Sequence, residues 1–400
     1  MAADWPLSGH PLRGVRVVEL THVAAGPFAG MLLADLGADV VKLEPPTGDQ
    51  MRSWPPIAED TETGEQFSHN FASVNRNKRS VVVDLKDTGD TGGLARARAL
   101  VAEADVVVEN YRPGVLDRLG LGYDEVTRDR DRGLVYCSVS GYGLTSPYVN
   151  DGAYDVVIQG MSGVMSVTGE RLGGPVKAGV PFGDFTAGLY AALTIASLLP
   201  SVREGRQVRI DCPMLDCLIA TSALQTSEYW GTGEEPGRLG TAHPRNAPYQ
   251  AFRAKNGDFT VAAGNDRLWA AVAEVAGLPE LVDDPRFRTQ RDRVANQTVL
   301  AGILQAKFGG RRTSHWLREL RARGVPCGPV NTYGQMLADD HVTATGLVQE
   351  QKVPVAGLTP TVVYPARIGG VPSRLDRAAP VLGADTDEVL SDWLADWGAA

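Results

Sequence analysis

Two short β-rich runs enclose one apolar helical segment between residues 15 and 44, and this arrangement restricts the fold more than any other feature of the chain. Residues 15–20 form a compact β-rich run, 21–26 read as a loop, and 27–36 carry apolar residues at helical spacing, opening on a proline suited to a first helical position. Gly37 stops the helix, and a second β-rich run over 39–44 ends at Pro45-Pro46. Strand, helix and strand at this spacing make a βαβ unit with parallel pairing. The alternation continues with strands over 81–85, 105–110 and 134–140 and a helix over 94–104, and residues 47–70 between them read as loop. The pattern implies an open α/β sheet, whose ligands bind beyond the carboxyl ends of the strands. One rim is therefore expected from residues 21–26, Pro45, 110–112 and 141–143.

A single acid marks the middle of the chain. Asp184 follows Gly183 and precedes an apolar run that reaches Leu199 without a charge. The stretch reads as a buried helix with Asp184 at its mouth. Two roles stay open on local grounds: an N-cap, whose side chain accepts from first-turn N–H groups, or a carboxylate nucleophile. Beyond residue 205 the texture changes. A helix over 212–229, a glycine-rich connector over 231–240, a hairpin over 248–264 turning at 256–258, and helices over 267–276, 294–308 and 314–323 suggest a smaller α+β module. Strands over 348–353 and 362–364 and a helix over 385–397 close the chain.

With 400 residues, 43% hydrophobic and 22% charged, the chain can bury a sizeable core in two to three domains. A net charge of −9 argues against nucleic acid or an anionic membrane as partner. Residues 1–5 lack a signal-peptide pattern, and the apolar stretch 187–199 falls short of the ~20 residues a span requires, so a soluble cytoplasmic protein is expected. Cys137, Cys212, Cys217 and Cys327 form no C-x-x-C pair and read as reduced buried thiols; the six histidines are scattered, and no metal is expected. NAD is not expected either. The first loop has one glycine where the dinucleotide fingerprint needs three, although Glu44 stands where a ribose-binding acid would, and no Walker A loop exists. Residues 75–79 are the densest basic patch, either a solvated turn or a phosphate contact. Arg112 and Arg118 flank Pro113-Gly114 as a second basic edge, beside the amide of Asn110.

Eight segments in order resemble the class III CoA-transferases: residues 21–27 (THVAAGP), 36–44 (LGADVVKLE), 75–86 (NRNKRSVVVDLK), 108–114 (VENYRPG), Tyr154-Asp155 through Ser162-Gly163, Gly183-Asp184, 324–330 (GVPCGPV) and 382–390 (LGADTDEVL). The resemblance implies an α/β fold with a Rossmann-like large domain built from both chain ends, a smaller α+β domain, and an interlocked homodimer. Residues 1–205 would be the first part of the large domain, 206–230 a linker helix, 231–325 the small domain and 326–400 the return segment. It also implies that Asp184 is the nucleophile. CoA or acyl-CoA, bound as substrate, would lie near His22, Ala24, Ala25, Val83, Leu85, Lys86, Asn110, Tyr111, Arg112, Arg118, Tyr154 and Asp155. The implied reaction moves CoA from an acyl-CoA to a carboxylic acid through aspartyl anhydride and thioester intermediates, with the helix N-terminus keeping Asp184 ionised and Phe182 and Phe185 helping to exclude water.

The sequence departs from the family at Ala24, where a member has an active-site glutamine, and at Pro45, where some place an arginine; the mobile glycine loop of the formyl-CoA enzyme is missing near residues 242–248. Formyl-CoA and oxalate are thereby disfavoured. Arg245 and Arg253 hint at a second carboxylate, hence a dicarboxylate pair such as succinyl-CoA with a C4–C6 acid. The alternative within the superfamily is an α-methylacyl-CoA racemase, which carries Gly-His-Asp where this chain has Ala153-Tyr154-Asp155. A different class, a CoA-binding protein without chemistry, would tolerate loss of Asp184.

Overall fold

The computed structural model describes residues 10–394. Residues 1–5, and the end of the helix expected over 385–397, lie outside the described residues.

Six strands form one parallel sheet: β1 (Arg16–Leu20), β2 (Asp39–Glu44), β3 (Lys78–Val82), β4 (Val106–Glu109), β5 (Leu134–Ser140) and β6 (Gln207–Pro213). Their spatial order is β3-β2-β1-β4-β5-β6. The order reverses between β1 and β4, which opens a crevice at the carboxyl ends of these two strands. Strands of a covered parallel sheet are apolar on both faces, and successive valines of β1 show it. Val17 packs with α1 (Ala25–Asp35) and the long helix α4 (Phe182–Arg203). Val18 packs with α2 (Gly93–Glu103) and the terminal helix α6 (Thr386–Trp393). Helices α3 (Asp155–Met161) and α5 (Met214–Thr221) join the first of these layers through Ile158 and Leu218.

Helix α4 is 22 residues long with mean hydropathy 1.5, so it is long and apolar enough to cross a membrane, unlike the shorter charge-free run 187–199. Its small residues instead bring it onto α1. A Cβ added at Gly188 would lie 2.8 Å from the Ala25 carbonyl oxygen and 2.9 Å from Phe28 Cδ1, so only glycine permits this approach.

Strand β3 begins at Lys78 rather than at 81, because the charges of the basic patch are taken up inside the fold. Arg76 makes a forked pair with Asp35 (3.1 and 2.5 Å). The Lys78 ammonium sits 2.8 Å from Glu19, both side chains fully buried. Arg79 pairs with Asp39 at 2.5 Å and with Asp392 at 2.8 Å. The patch is neither a solvated turn nor a phosphate site. Likewise Glu44, far from meeting a ribose, accepts from Arg52 (2.6 and 2.8 Å) and from Ser80 (2.6 Å).

The segment 206–230, expected as a helix, opens with edge strand β6. Val208, Ile210 and Cys212 alternate with polar residues, a period-two pattern that outranks the helical reading. Within 47–70, expected as loop, Ile57–Glu59 pairs antiparallel with Gln66–Ser68, and His69–Asn75 is helical.

The described residues divide into two compact units. The first takes those up to Val164, Lys177–Ser227 and those from Asp340 on; the second takes Met165–Val176 and Glu228–Asp339. The second unit contains the expected hairpin, β7 (Tyr249–Ala254) with β8 (Gly257–Ala262), and a third strand, β9 (Cys327–Pro329), pairs with β8. The return to the first unit thus comes at Asp340 and not at 326, because Val325–Pro329 is spent on this small sheet and its core. After it, Val348–Val353 pairs antiparallel with Gly357–Val362.

Candidate active site

A cleft of about 480 Å3 lies at the carboxyl ends of the central strands, within the first unit. Residues 22–25 after β1, Pro45, Thr47, Gly48 and Gln50 after β2, residues 110–113 after β4 and residues 139–143 around the end of β5 line it, with Val149, residues 151–154, Asp184 and Met214. The rim expected from the alternation of strands and helices is therefore a single wall.

The loop after β1 is held on three sides. Asn110 takes both polar groups of His22, accepting from its N–H at 2.8 Å and donating to its carbonyl at 2.9 Å. The His22 ring shares a 3.2 Å hydrogen bond, through Nε2, with the Tyr111 hydroxyl. Burial, and next the charge of Lys42, hold the His22 pKa below its ordinary value, so the ring is neutral near pH 7. Val23 follows with φ +66°, a left-handed conformation costly for a β-branched residue. Its N–H donates to both oxygens of Asp49 at 3.2 Å. Ala24 and Ala25 then start α1, which has no side-chain cap.

Below this loop lies a buried charge cluster. Lys42 Nζ is 2.9 Å from Glu19 and 3.0 Å from Asp49, and donates to the Thr21 carbonyl at 2.7 Å. Burial opposes the charge on Lys42, but Glu19, Asp49 and Glu44 outweigh it and raise its pKa. Lys78, on the far side of Glu19, is pushed down to about 8 by burial, against the pull of Glu19.

Asp184 occupies the third position of α4, not the cap. Pro181 is the cap residue and supplies no side-chain bond. The capping oxygen comes from Asp155: its Oδ1 accepts from Gly183 N–H at 2.8 Å, and its Oδ2 accepts from Gln159 at 2.7 Å. Asp184 is left with its carboxyl free to face the cleft. Burial, and secondly the negative charge of Asp155, push its pKa up to about 7. Burial and Asp155 thus oppose the ionisation that the helix N-terminus favours. Phe185 stacks on Phe28 with ring centroids 4.5 Å apart, whereas Phe182 is 47% exposed.

Of the residues that sequence singled out, His22, Ala24, Ala25, Asn110, Tyr111, Arg112, Tyr154 and Asp184 line the cleft together. Val83, Leu85, Lys86, Arg118 and Asp155 do not. Val83 is buried and bonds the Glu44 carbonyl through its N–H. Leu85 packs on the α2 side of the sheet and Lys86 is exposed. Arg118 is exposed at the end of a one-turn helix, Val115–Arg118. Asp155 works behind the wall, as the cap of α4. Arg245, in the second unit, forms an exposed pair with Glu228 at 3.1 Å, and Arg253 is exposed. Sequence reasoning missed Asp49 and Lys42 and the lining residues Val149 and 151–153; a lysine within the otherwise apolar interior of the strand Asp39–Glu44 was the available signal.

A doubly wound parallel sheet with a carboxyl-bearing cleft at its switch point defines a class of α/β enzymes acting on ligands held over the first loop. The model of CoA-transferase family III matches residues 12–386, and the chain belongs to that family and is a class III CoA-transferase. It is 39% identical over 386 residues to the succinyl-CoA:glutarate CoA-transferase of Mus musculus, covering 96% of this chain and 86% of the mouse protein. It is 38% identical over 392 residues to the succinate–glutarate CoA-transferase of Agrobacterium fabrum, covering 97% of each. Among solved structures, a CAIB/BAIF family protein from Brucella suis superposes with a TM-score of 0.86 at 38% identity, covering 96% of this chain and all of that one. These names favour CoA transfer over the racemase alternative.

Proposed function

We propose that Asp184 is the nucleophile of CoA transfer and that acyl-CoA reaches it over the His22–Ala25 loop. The observation that carries this reading is the position of Asp184: a carboxyl on the first turn of α4, free of the capping role, on the same wall as residues 22–25. Attack of the Asp184 carboxylate on the thioester carbonyl carbon breaks the C–S bond, giving an aspartyl–acyl anhydride and CoA thiolate. The thiolate then adds to the Asp184 carbonyl and expels the donor acid as its carboxylate, leaving an aspartyl–CoA thioester. The acceptor carboxylate displaces the thiolate from Asp184. The thiolate finally attacks the acceptor carbonyl, forming the new acyl-CoA and restoring Asp184.

Every step consumes one anion and releases one, so no proton need be transferred. What the site must supply is one negative charge, placement, and exclusion of water from the two labile intermediates. The first βα loop and Asn110 supply a rigid seat for the thioester end, and the neutral His22–Tyr111 pair offers polar contacts that do not trap an anion.

A dicarboxylate exchange, succinyl-CoA with a C4–C6 acid, is the substrate class we infer. It rests on the names of the mouse and Agrobacterium relatives. We also infer a homodimer, interlocked as the family resemblance implies. Phe182, Leu189 and Leu193 stand 47%, 54% and 67% exposed along α4, an apolar stripe that a second copy would cover.

The test is to trap the intermediate. Donor succinyl-CoA followed by hydroxylamine should place a hydroxamate on Asp184, detected by peptide mass spectrometry. An unmodified Asp184 in protein that still exchanges CoA would overturn the reading.

A further inference from the structure

We propose that Asp49 and Lys42, neither of which lines the cleft, are positioning residues for acyl-CoA, acting through the left-handed turn at Val23. The inference rests on the reading that acyl-CoA lies over residues 22–25.

Three observations carry it. First, Val23 holds φ +66°, a conformation that a β-branched residue keeps only where its surroundings impose it. Second, the imposing group is identifiable. Both carboxylate oxygens of Asp49 accept from the Val23 N–H at 3.2 Å, and Asp49 is itself fixed by Met51 N–H at 2.9 Å, by its own N–H donating to Glu44 at 3.0 Å, and by Lys42 at 3.0 Å. Third, Lys42 also grips the Thr21 carbonyl at 2.7 Å, one residue ahead of His22. Lys42 and Asp49 thus grip the chain immediately before and after His22, whose own peptide is held by Asn110.

The geometry has a direction. A left-handed residue at 23 reverses the local path of the backbone, so that Ala24 and Ala25 start α1 at the cleft wall. Released to the ordinary right-handed or extended region, the same residue would turn this backbone elsewhere while leaving β1 and the body of α1 in place. Asp49 also joins two parts of the lining, because Thr47, Gly48 and Gln50 flank it on the wall. The buried cations here are consumed in setting a loop rather than in meeting the phosphates of CoA.

This assignment makes a prediction that a purely structural salt bridge does not. If Asp49 matters because it forces the turn, a glycine at 23, which takes positive φ without steric cost, should make Asp49 less necessary. Binding of coenzyme A is measured by calorimetry on the full chain, for wild type, Asp49→Asn, Val23→Gly and the double variant, with thermal unfolding recorded for each. Asp49→Asn should weaken binding by about 10- to 100-fold, the scale on which small misplacements of a binding wall act. Val23→Gly sets its own baseline, and adding Asp49→Asn to it should cost no more than about threefold, so that most of the loss is recovered, a coupling that independent sites do not show. The unfolding temperature should not recover with it. Should Asp49→Asn fail to fold, Val23→Pro carries the test: it forbids the left-handed turn and leaves Lys42 paired, and it should lose coenzyme A binding while remaining folded. Undiminished binding by folded Asp49→Asn or Val23→Pro, or a double variant no better than Asp49→Asn, overturns the proposal and leaves the placement of acyl-CoA intact. A wild-type protein whose coenzyme A does not protect the His22–Ala25 amides from hydrogen exchange overturns both.

Discussion

Asp155 accepts the Gly183 amide proton at 2.8 Å, so the helix that carries Asp184 is capped from a different helix. The two acids are close enough that Asp155 raises the Asp184 pKa, second only to burial. One carboxylate thus anchors the helix and at the same time sets how readily the other ionises.

Asp155→Asn separates these two effects. An asparagine oxygen can still accept from Gly183 N–H, but its charge is gone. With Asp184 as the proposed nucleophile, the acid limb of the rate profile should fall near pH 7 in wild type and move to lower pH in this variant. Glu109 is pushed up to about 7 by burial, so Glu109→Gln serves as a control that should leave the limb in place. Asp155→Ala should in addition lose about 1 kcal/mol of stability, as removal of a cap does. A limb that does not move in Asp155→Asn refutes the electrostatic coupling.

Asp184→Asn should lower transfer at least ~10³-fold, as loss of a covalent nucleophile does, while the fold persists. Its stability should change in the opposite sense. The native pKa lies near 7, above the unfolded value near 3.8, so the native state retains a proton that the unfolded state has lost between these values. Wild-type stability contributed by this group therefore falls as pH rises from about 4 to 7. At pH 8 the amide variant should melt at least ~2 °C above wild type, and the difference should shrink toward pH 4. Scanning calorimetry at the two pH values checks both signs.

Lys78→Met and Arg76→Ala probe the basic patch. Arg76→Ala leaves the buried Asp35 without its cation, which costs about 3–5 kcal/mol, whereas after Lys78→Met Glu19 keeps Lys42 at 2.9 Å and the loss should be smaller. Denaturant midpoints should drop accordingly. Coenzyme A affinity of the folded fraction of Arg76→Ala should stay within about threefold, since that side chain meets Asp35 and no phosphate. A large selective loss of affinity at unchanged stability would restore the phosphate-contact role.

Gly188→Val should destabilise by about 1–3 kcal/mol, because its side chain must displace Ala25 and Phe28 from α4. Activity should fall more steeply than the folded fraction, since Ala25 lines the cleft. Equal decline of both would mean that the α1–α4 spacing does not matter to the reaction.

The outline of the sheet was legible because runs such as 39–44 and 105–110 are apolar on both faces, as a covered parallel sheet demands. So was the rim, which follows from strand direction alone. Residues 78–79 misled because Lys and Arg in a strand are rare unless paired, and the partners of Arg79 include Asp392, over 300 positions away. The N-cap role left open for Asp184 falls to Asp155 for the same reason. Local rules can propose a carboxylate for a helix mouth, but they cannot see that Asp155, on another helix, already fills it. For the charge state of Asp184, position favours the anion while burial and a neighbouring acid oppose it, and only geometry weighs the three.

Gly188 lets α1 and α4 meet in close contact one turn below Asp184, which brings the two helix-borne parts of the cleft wall together. A close approach of that kind leaves little room for the two helices to shift toward each other. Adaptation to new acyl groups is then left to the loop-borne lining, Thr47, Gly48, Gln50, Val149 and residues 151–153, whose side chains stand apart from the helix that carries Asp184. An effort to redirect this enzyme toward other acids should vary those positions and hold Asp49 and the helices constant.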